Sequence, residues 1–395
     1  MTAVLGAFRR GGWHTSPDTA ALPGPRTAYR LALVPEIVAD ADHKWWQAVR
    51  TDLPPLTDRR ELLLAALELF AQGRVEIGGL GEQDADGFRA ALWETAGLPG
   101  PLVDRWCALL RESLLKAGAG APADDRLALV ALPGNTFTCL DSVLGEAERS
   151  GAVWVRPSRR EPLSAARLVA ALLAVGWPAA RLGLYPCAQR SLHGLLRRAD
   201  RQVVYGGTGL AAALRTAPTL TLHGPGRGCA LVPSGMPAGE AVAWLLPLVA
   251  GDSGRFCSNV RTIICADREQ SASLASSLAD ALDAIAPARH HTDWPLTVFR
   301  DPDTAHRALR SVRERMRPDD RMLTRRDPIA LVDGAPCVLP RLVLIQDPEG
   351  HPLVGHEVPF PFAAVLHARP DAVRSFTAGS LFVHRPVPSA PRPAK

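Results

Sequence analysis

Leu127-Ala128-Leu129-Val130-Ala131-Leu132-Pro133-Gly134-Asn135 opens the stretch that decides the fold: six apolar residues in a row, then a proline-glycine turn. An apolar run this short, bounded by turn residues, reads as a buried strand. The pattern then repeats as a helix over about 138–149, a strand over 152–155, a helix over 164–175, and strands over 182–185 and 202–205. Such alternation predicts a parallel sheet wound with helices, and nucleotide sites in such sheets lie beyond the carboxyl ends of the strands. A second wound unit is expected after residue 223, with strands over 230–232, 262–266 and 296–299 and helices over 240–249 and 271–285. The fold class is therefore α/β, with two doubly wound lobes and a cleft at the seam over 223–229.

Upstream, the reading is weaker. Residues 1–35 are rich in glycine, proline and arginine with little periodicity, so the core is expected to begin near residue 40. Glu61 to Phe70 has the apolar density of a packed helix. Ala117-Gly118-Ala119-Gly120-Ala121-Pro122 suits a flexible connection before the first strand, and the proline-rich stretch after Pro386 a frayed tail.

Composition narrows the class. A chain of 395 residues, 47% of them hydrophobic, is long enough for two domains with a sizeable core. A net charge of +5 is too small to imply nucleic acid as a partner. Arginine clusters at 197–198, 313–317 and 321–326 read as solvated faces, one of which could hold a phosphate. Seven cysteines without a Cys-x-x-Cys pair argue against a disulfide framework and suggest a reducing cytoplasm. No apolar segment follows Arg9-Arg10 as a secretory signal would require, and no stretch reaches the roughly 18 apolar residues of a membrane helix.

Two polar residues stand at chain reversals 34 positions apart. His223 closes Leu220-Thr221-Leu222 and opens Gly224-Pro225-Gly226-Arg227-Gly228, while Cys257 lies in Gly254-Arg255-Phe256-Cys257-Ser258-Asn259, before the apolar run Thr262 to Ala266. A thiol beside a base or a positive group becomes a nucleophile toward carbonyls and thioesters. A buried small hydrophobe and a turn histidine explain the same residue types on their own.

The order of motifs resembles the aldehyde dehydrogenase superfamily. There a Glu-Leu-Gly-Gly turn precedes the nucleophilic cysteine at this spacing, so His223 falls where the family has its glutamate base and Cys257 where it has its nucleophile. Leu132-Pro133-Gly134-Asn135, Val153-Trp154-Val155-Arg156-Pro157-Ser158, Tyr205-Gly206-Gly207-Thr208-Gly209 and His356-Glu357-Val358-Pro359-Phe360-Pro361 follow in family order, together covering about 125–385. Pro-Gly-Asn for Pro-Trp-Asn, histidine for glutamate and a shortened C-terminal region look like the LuxC-like acyl-CoA reductase branch.

The resemblance implies an aldehyde-dehydrogenase-like fold, with an N-terminal region and nucleotide-binding domain over 1–228, a catalytic domain over 229–375, and a C-terminal strand and tail over 376–395. It implies that Cys257 takes the acyl group of an acyl-CoA or acyl carrier protein, and that Asn135 donates to the carbonyl oxygen. Helix capping is the alternative for Asn135. His223 would carry a proton, and a histidine in place of glutamate suits an acyl-enzyme that is reduced rather than hydrolysed. Arg156 matches a ribose-binding lysine; Arg159 falls where NAD-preferring relatives carry a glutamate, and a guanidinium suits a 2′-phosphate, so NADPH is the expected cofactor, with NADH possible. Gly206 and Gly207 would leave room for a pyrophosphate, and Glu357 would hold the nicotinamide ribose. No metal is expected, and a homo-oligomer is. An aldehyde-oxidising dehydrogenase and a non-catalytic scaffold that keeps the fold are the rival readings.

Overall fold

Leu127–Ala131 and Ala152–Arg156 are buried at every position, which in a sheet requires cover on both faces. The computed structural model, which describes residues 3–22, 29–118, 123–206 and 219–386, supplies that cover with helices and divides the chain into two units, Met1–Gly224 and Pro225–Lys395.

In the first unit five strands run parallel in the order Leu220–His223, Arg201–Tyr205, Leu127–Ala131, Ala152–Arg156, Leu182–Leu184. Chain order and sheet order part between Leu127–Ala131 and Arg201–Tyr205. The chain winds outward from the first of these through two strands, then returns to its other side. This is the topological switch point of a doubly wound sheet, where the loops on either side diverge and leave a crevice.

The sheet continues where the sequence suggested no core. Ala7–Arg9 pairs antiparallel with Leu182–Leu184 and turns back into Gly12–His14. Arg10 and Gly11 both have positive φ, 49° and 80°, as a tight two-residue hairpin turn needs. Asp42, fully buried, holds this turn with ion pairs to Arg9 at 2.8 Å and Arg10 at 2.6 Å. Leu5 and Phe8 are core residues, so the core begins well before residue 40. Three-residue strands are too short to show a period, and the pairing of Phe8 with Leu184, 176 positions along the chain, leaves no local trace. Trp46 and Trp177, both buried, belong to the packing, and Trp154 packs against Tyr185 with ring centroids 4.3 Å apart and planes tilted by 34°.

The second unit has a six-stranded sheet in the order Arg321–Met322, Arg341–Leu344, Phe362–His367, Val260–Cys265, Gly228–Val232, Val383–His384, parallel except at Arg321–Met322. Helices Ala238–Ala250 and Arg268–Asp283 link and cover its strands. The strand expected over 296–299 does not form. The Thr297 N–H is taken by the Ser253 hydroxyl at 2.9 Å rather than by a neighbouring strand, and this segment instead braces the loop before Cys257. Among the described residues no helix is long and apolar enough to cross a membrane.

Candidate functional site

Four of the residues singled out in the first unit lie at one edge of its sheet. The register pairs Ala131 with Arg156, Val204 with Ala131 and Tyr205 with His223, so these strands end nearly level. Asn135, Arg156, Gly206 and His223 thus stand at or just past their carboxyl ends, with Arg159 in the loop beyond Arg156. Gly207 lies outside the described residues.

Gly134 shows how tightly two of these loops close. A methyl group there would come within 2.5 Å of Ser158 Oγ and 3.0 Å of Arg160 Cβ. A side chain at 134 would therefore push apart the loops that follow Leu127–Ala131 and Ala152–Arg156. Asn135 does not cap the next helix: Leu140–Arg149 has Cys139 at its N-cap, and the intervening turn is held by Thr136 Oγ1, which accepts the Thr138 N–H at 3.1 Å. Asn135 is half-buried in this turn.

Arg156 is 9% exposed, with Nη2 on Gln189 Oε1 at 3.2 Å and near Cys187 O at 3.5 Å; its Nε has no partner. No described carboxylate pairs with it. Arg159 is exposed and forms no hydrogen bond or ion pair among the described residues. A buried guanidinium at the strand end and an exposed one on the loop beyond it, with a close-packed glycine beside them, make an edge suited to an anionic ligand. The residues present therefore fit a nucleotide.

His223 is exposed at the end of the edge strand and lies flat on Tyr205, with centroids 4.4 Å apart and planes 10° from parallel. Tyr205 is itself fixed by a 2.7 Å hydrogen bond to Ser142, and Gly206 N–H donates to His223 O at 3.0 Å. Neither Tyr205 nor Ser142 was singled out from sequence, because their alignment depends on register.

In the second unit the residues gather at the opposite end of the strands. Cys257 precedes Val260–Cys265, the glycine turn precedes Gly228–Val232, and Glu357 precedes Phe362–His367, all at the amino edge of the sheet. Glu357 Oε1 accepts the Arg227 N–H at 3.0 Å, so one carboxylate oxygen already pins the glycine turn. A side chain on Gly226 would come within 1.9 Å of Cys257 O, which explains why the turn facing the cysteine loop carries no Cβ there.

The loop carrying Cys257 is held against its own strain. Asp252, Ser253 and Gly254 have successive φ of 53°, 56° and 63°. For each non-glycine residue this left-handed conformation costs roughly 1–2 kcal/mol. Ser253 Oγ is tied to Thr297, and the buried Arg261 guanidinium donates to the carbonyls of Gly254 and, at 3.1 Å, Phe360. Burial pushes the Arg261 pKa down to about 10, which leaves it charged at neutral pH. Asn259 completes the clamp: Oδ1 accepts the Phe256 N–H at 2.7 Å, and Nδ2 donates to Leu248 O and Gly251 O at 3.1 and 3.0 Å. A charged residue inside an apolar strand, Val260-Arg261-Thr262-Ile263, was the sequence signal available for this clamp.

None of the seven cysteines forms a disulfide, and Cys257 is the exposed one. Burial pushes the Cys107, Cys265 and Cys337 thiols up to about 12 and raises those of Cys187 and Cys229 as well. These five are poor sources of thiolate at neutral pH.

No protein-family model and no curated protein matches the sequence. Solved structures match its fold over nearly the whole chain. An aldehyde dehydrogenase from Brucella melitensis biovar abortus is 14% identical with a TM-score of 0.78, over 98% of this chain and 85% of that one. A putative methylmalonate-semialdehyde dehydrogenase from Sinorhizobium meliloti, complexed with NAD, is 14% identical with a TM-score of 0.75, over 96% and 88%. An indole-3-acetaldehyde dehydrogenase complexed with NAD+ is 15% identical at 0.75, over 97% and 83%. The chain has the fold of these aldehyde dehydrogenases.

Proposed function

We propose that the protein reduces an acyl thioester, carried by CoA or a carrier protein, to an aldehyde with NADPH, through an acyl group held on Cys257. The observation that carries this reading is the contrast among the cysteines. One thiol of seven is exposed, on a loop whose strained backbone is held by Asn259, Arg261 and Thr297, while five others are buried with raised pKa values. A backbone held this way is what a positioned nucleophile requires.

Cys257 Sγ attacks the thioester carbonyl, the S–C bond to the carrier breaks, and the carrier thiolate leaves and takes up a proton. The nicotinamide cofactor, when bound, supplies the hydride that reduces the acyl carbon. Cys257 leaves as thiolate when the aldehyde is released. Asn135 donates to the carbonyl oxygen as negative charge develops there. His223 carries the proton to the leaving thiolate. Arg156 and Arg159 hold cofactor phosphate or ribose oxygens, Gly206 and Gly207 give room for the pyrophosphate, and Glu357 contributes through its second carboxylate oxygen.

Oxidation of an aldehyde is the second reading, favoured by the names of the neighbours with this fold. Two measurements on the purified full-length chain separate the readings. NADPH consumption with a panel of acyl-CoAs of different length should show turnover with aldehyde as product, and Cys257→Ala should lose both turnover and acyl-enzyme while still binding nucleotide. Turnover of aldehyde with NAD+ to free acid, with none from acyl-CoA, would establish the second reading. Reductase activity retained in Cys257→Ala would overturn the covalent mechanism.

A further inference from the structure

Helix Pro302–Arg313 places His306, Leu309, Arg310 and Arg313 at spacings of three, four and seven, on one face. They line an open pocket of about 540 Å³, lined also by Asp327, Pro328 and Ile329. A second cavity, of about 220 Å³, shares Leu309, Arg313 and Pro328 with the first and continues past Val312, Met316 and Met322 to Arg341. Both belong to the second unit, and none of these residues has a part in the proposed reaction.

The charges here are not matched. Arg307, on the same helix, is neutralised by Asp301 at 3.1 Å. The guanidiniums of Arg310 and Arg313 form no hydrogen bond or ion pair with any described residue. Arg341 is 4% exposed and donates to Thr324 Oγ1 at 3.3 Å and Arg326 O at 2.8 Å, with its Nε unpartnered and no described carboxylate in contact. Burial lowers its pKa; the charges of Asp283 and Asp327 oppose that, while those of Arg313 and Arg326 add to it. Three arginines therefore meet at these cavities against one lining carboxylate, Asp327. A solvated basic helix face needs no cavity and has no buried arginine behind it; this one has both.

We propose that the two cavities form one binding site for an amphiphilic organic anion, with an oxyanion head between Arg310 and Arg313 and an aliphatic chain along Leu309, Val312, Met316 and Met322. Paired guanidiniums suit a carboxylate or a phosphate monoester, each able to accept two bonds from one fork. The inner lining suits a flexible chain, because methionine side chains adapt to irregular apolar shapes. The outer volume lies within the roughly 300–1,000 Å³ of ordinary small-molecule sites. The site stands apart from the reading of Cys257 and does not depend on it.

The test is calorimetric titration of the full-length protein with decanoate, decyl phosphate, decanol and inorganic phosphate. One or both of the amphiphilic anions should bind at a single site, with decanol and inorganic phosphate at least tenfold weaker; whichever of decanoate and decyl phosphate binds better identifies the head. The double variant Arg310→Gln/Arg313→Gln, which alters two exposed side chains, should lose at least tenfold in affinity with its melting temperature unchanged. Met316→Gln should weaken decanoate and leave inorganic phosphate as it was. Binding should persist in Cys257→Ala, which separates this site from an acyl chain at the thiol. Decanol binding as well as decanoate, inorganic phosphate binding as well as decyl phosphate, unchanged affinity in the double variant, or loss of binding in Cys257→Ala would each overturn the proposal.

Discussion

His223 lies flat against Tyr205, with ring centroids 4.4 Å apart and planes 10° from parallel, and Tyr205 is anchored through its hydroxyl to Ser142. The stack sets the plane of the imidazole at the exposed end of the edge strand. A carboxylate in its place has no ring to stack and is free to activate water. In His223→Glu the acyl-enzyme should therefore hydrolyse in competition with reduction. The acid-to-aldehyde ratio from a labelled acyl-CoA at limiting NADPH should rise; an unchanged ratio in a folded, acylating variant would make His223 a structural turn residue.

Asn259 carries three hydrogen bonds in the loop before Val260. Removing its amide leaves buried backbone groups without partners, at a cost of about 2 kcal/mol. Asn259→Ala should lower the urea midpoint accordingly. It should also change the rate at which iodoacetamide labels Cys257, while the five buried cysteines stay protected. Equal labelling rates in variant and parent would show that the clamp does not position the thiol.

Gly134 is sterically required by its neighbour. A methyl group there meets Ser158 Oγ at 2.5 Å, so Gly134→Ala should displace the loop carrying Ser158 and Arg159 and weaken nicotinamide nucleotide binding severalfold. Ser158→Gly in the same chain removes the obstructing hydroxymethyl group and should restore part of the affinity. Fluorescence titration with NADPH measures both, and failure of the second change to help would assign the defect elsewhere.

Arg159 is exposed, without a partner among the described residues. Arg159→Glu should weaken NADPH far more than NADH, since a carboxylate repels a 2′-phosphate and accepts bonds from a free ribose diol. The ratio of the two dissociation constants is the readout. A ratio that does not move would place Arg159 outside the adenosine pocket.

His356 packs beside Ser311 at 3.2 Å, and burial, then the charges of Arg315 and Arg261, hold its pKa down at about 4 against an ordinary 6.5. As pH falls, the unfolded chain takes up this proton before the folded one. The stability linked to the neutral ring is thus complete above pH 6.5 and is lost progressively toward about pH 4. Urea midpoints at pH 7.0, 5.5 and 4.5 should fall less steeply in His356→Gln than in the parent chain. Parallel slopes would remove His356 from the acid sensitivity of the fold.

The apolar runs beginning at Leu127, Ala152 and Leu182, and the turns that end them, were legible because a strand buried on both faces must be apolar along its length, whatever its partners. So was the position of Cys257 between a turn and a strand. Sheet order, the switch point beside Leu127–Ala131 and the antiparallel addition of Ala7–Arg9 came only with the tertiary structure, because each depends on pairing between segments far apart in the chain. The same holds for the site. The sequence by itself determined that seven thiols were present and which one stood at a chain reversal. Burial decided which were inert, since desolvation of a thiolate is set by what packs around it. The clamp of Asn259, Arg261 and Thr297 on the Cys257 loop, and the stack of His223 on Tyr205, are likewise decided in three dimensions. Hydrogen-bond partners and ring planes depend on register and side-chain direction, which one-dimensional spacing does not encode.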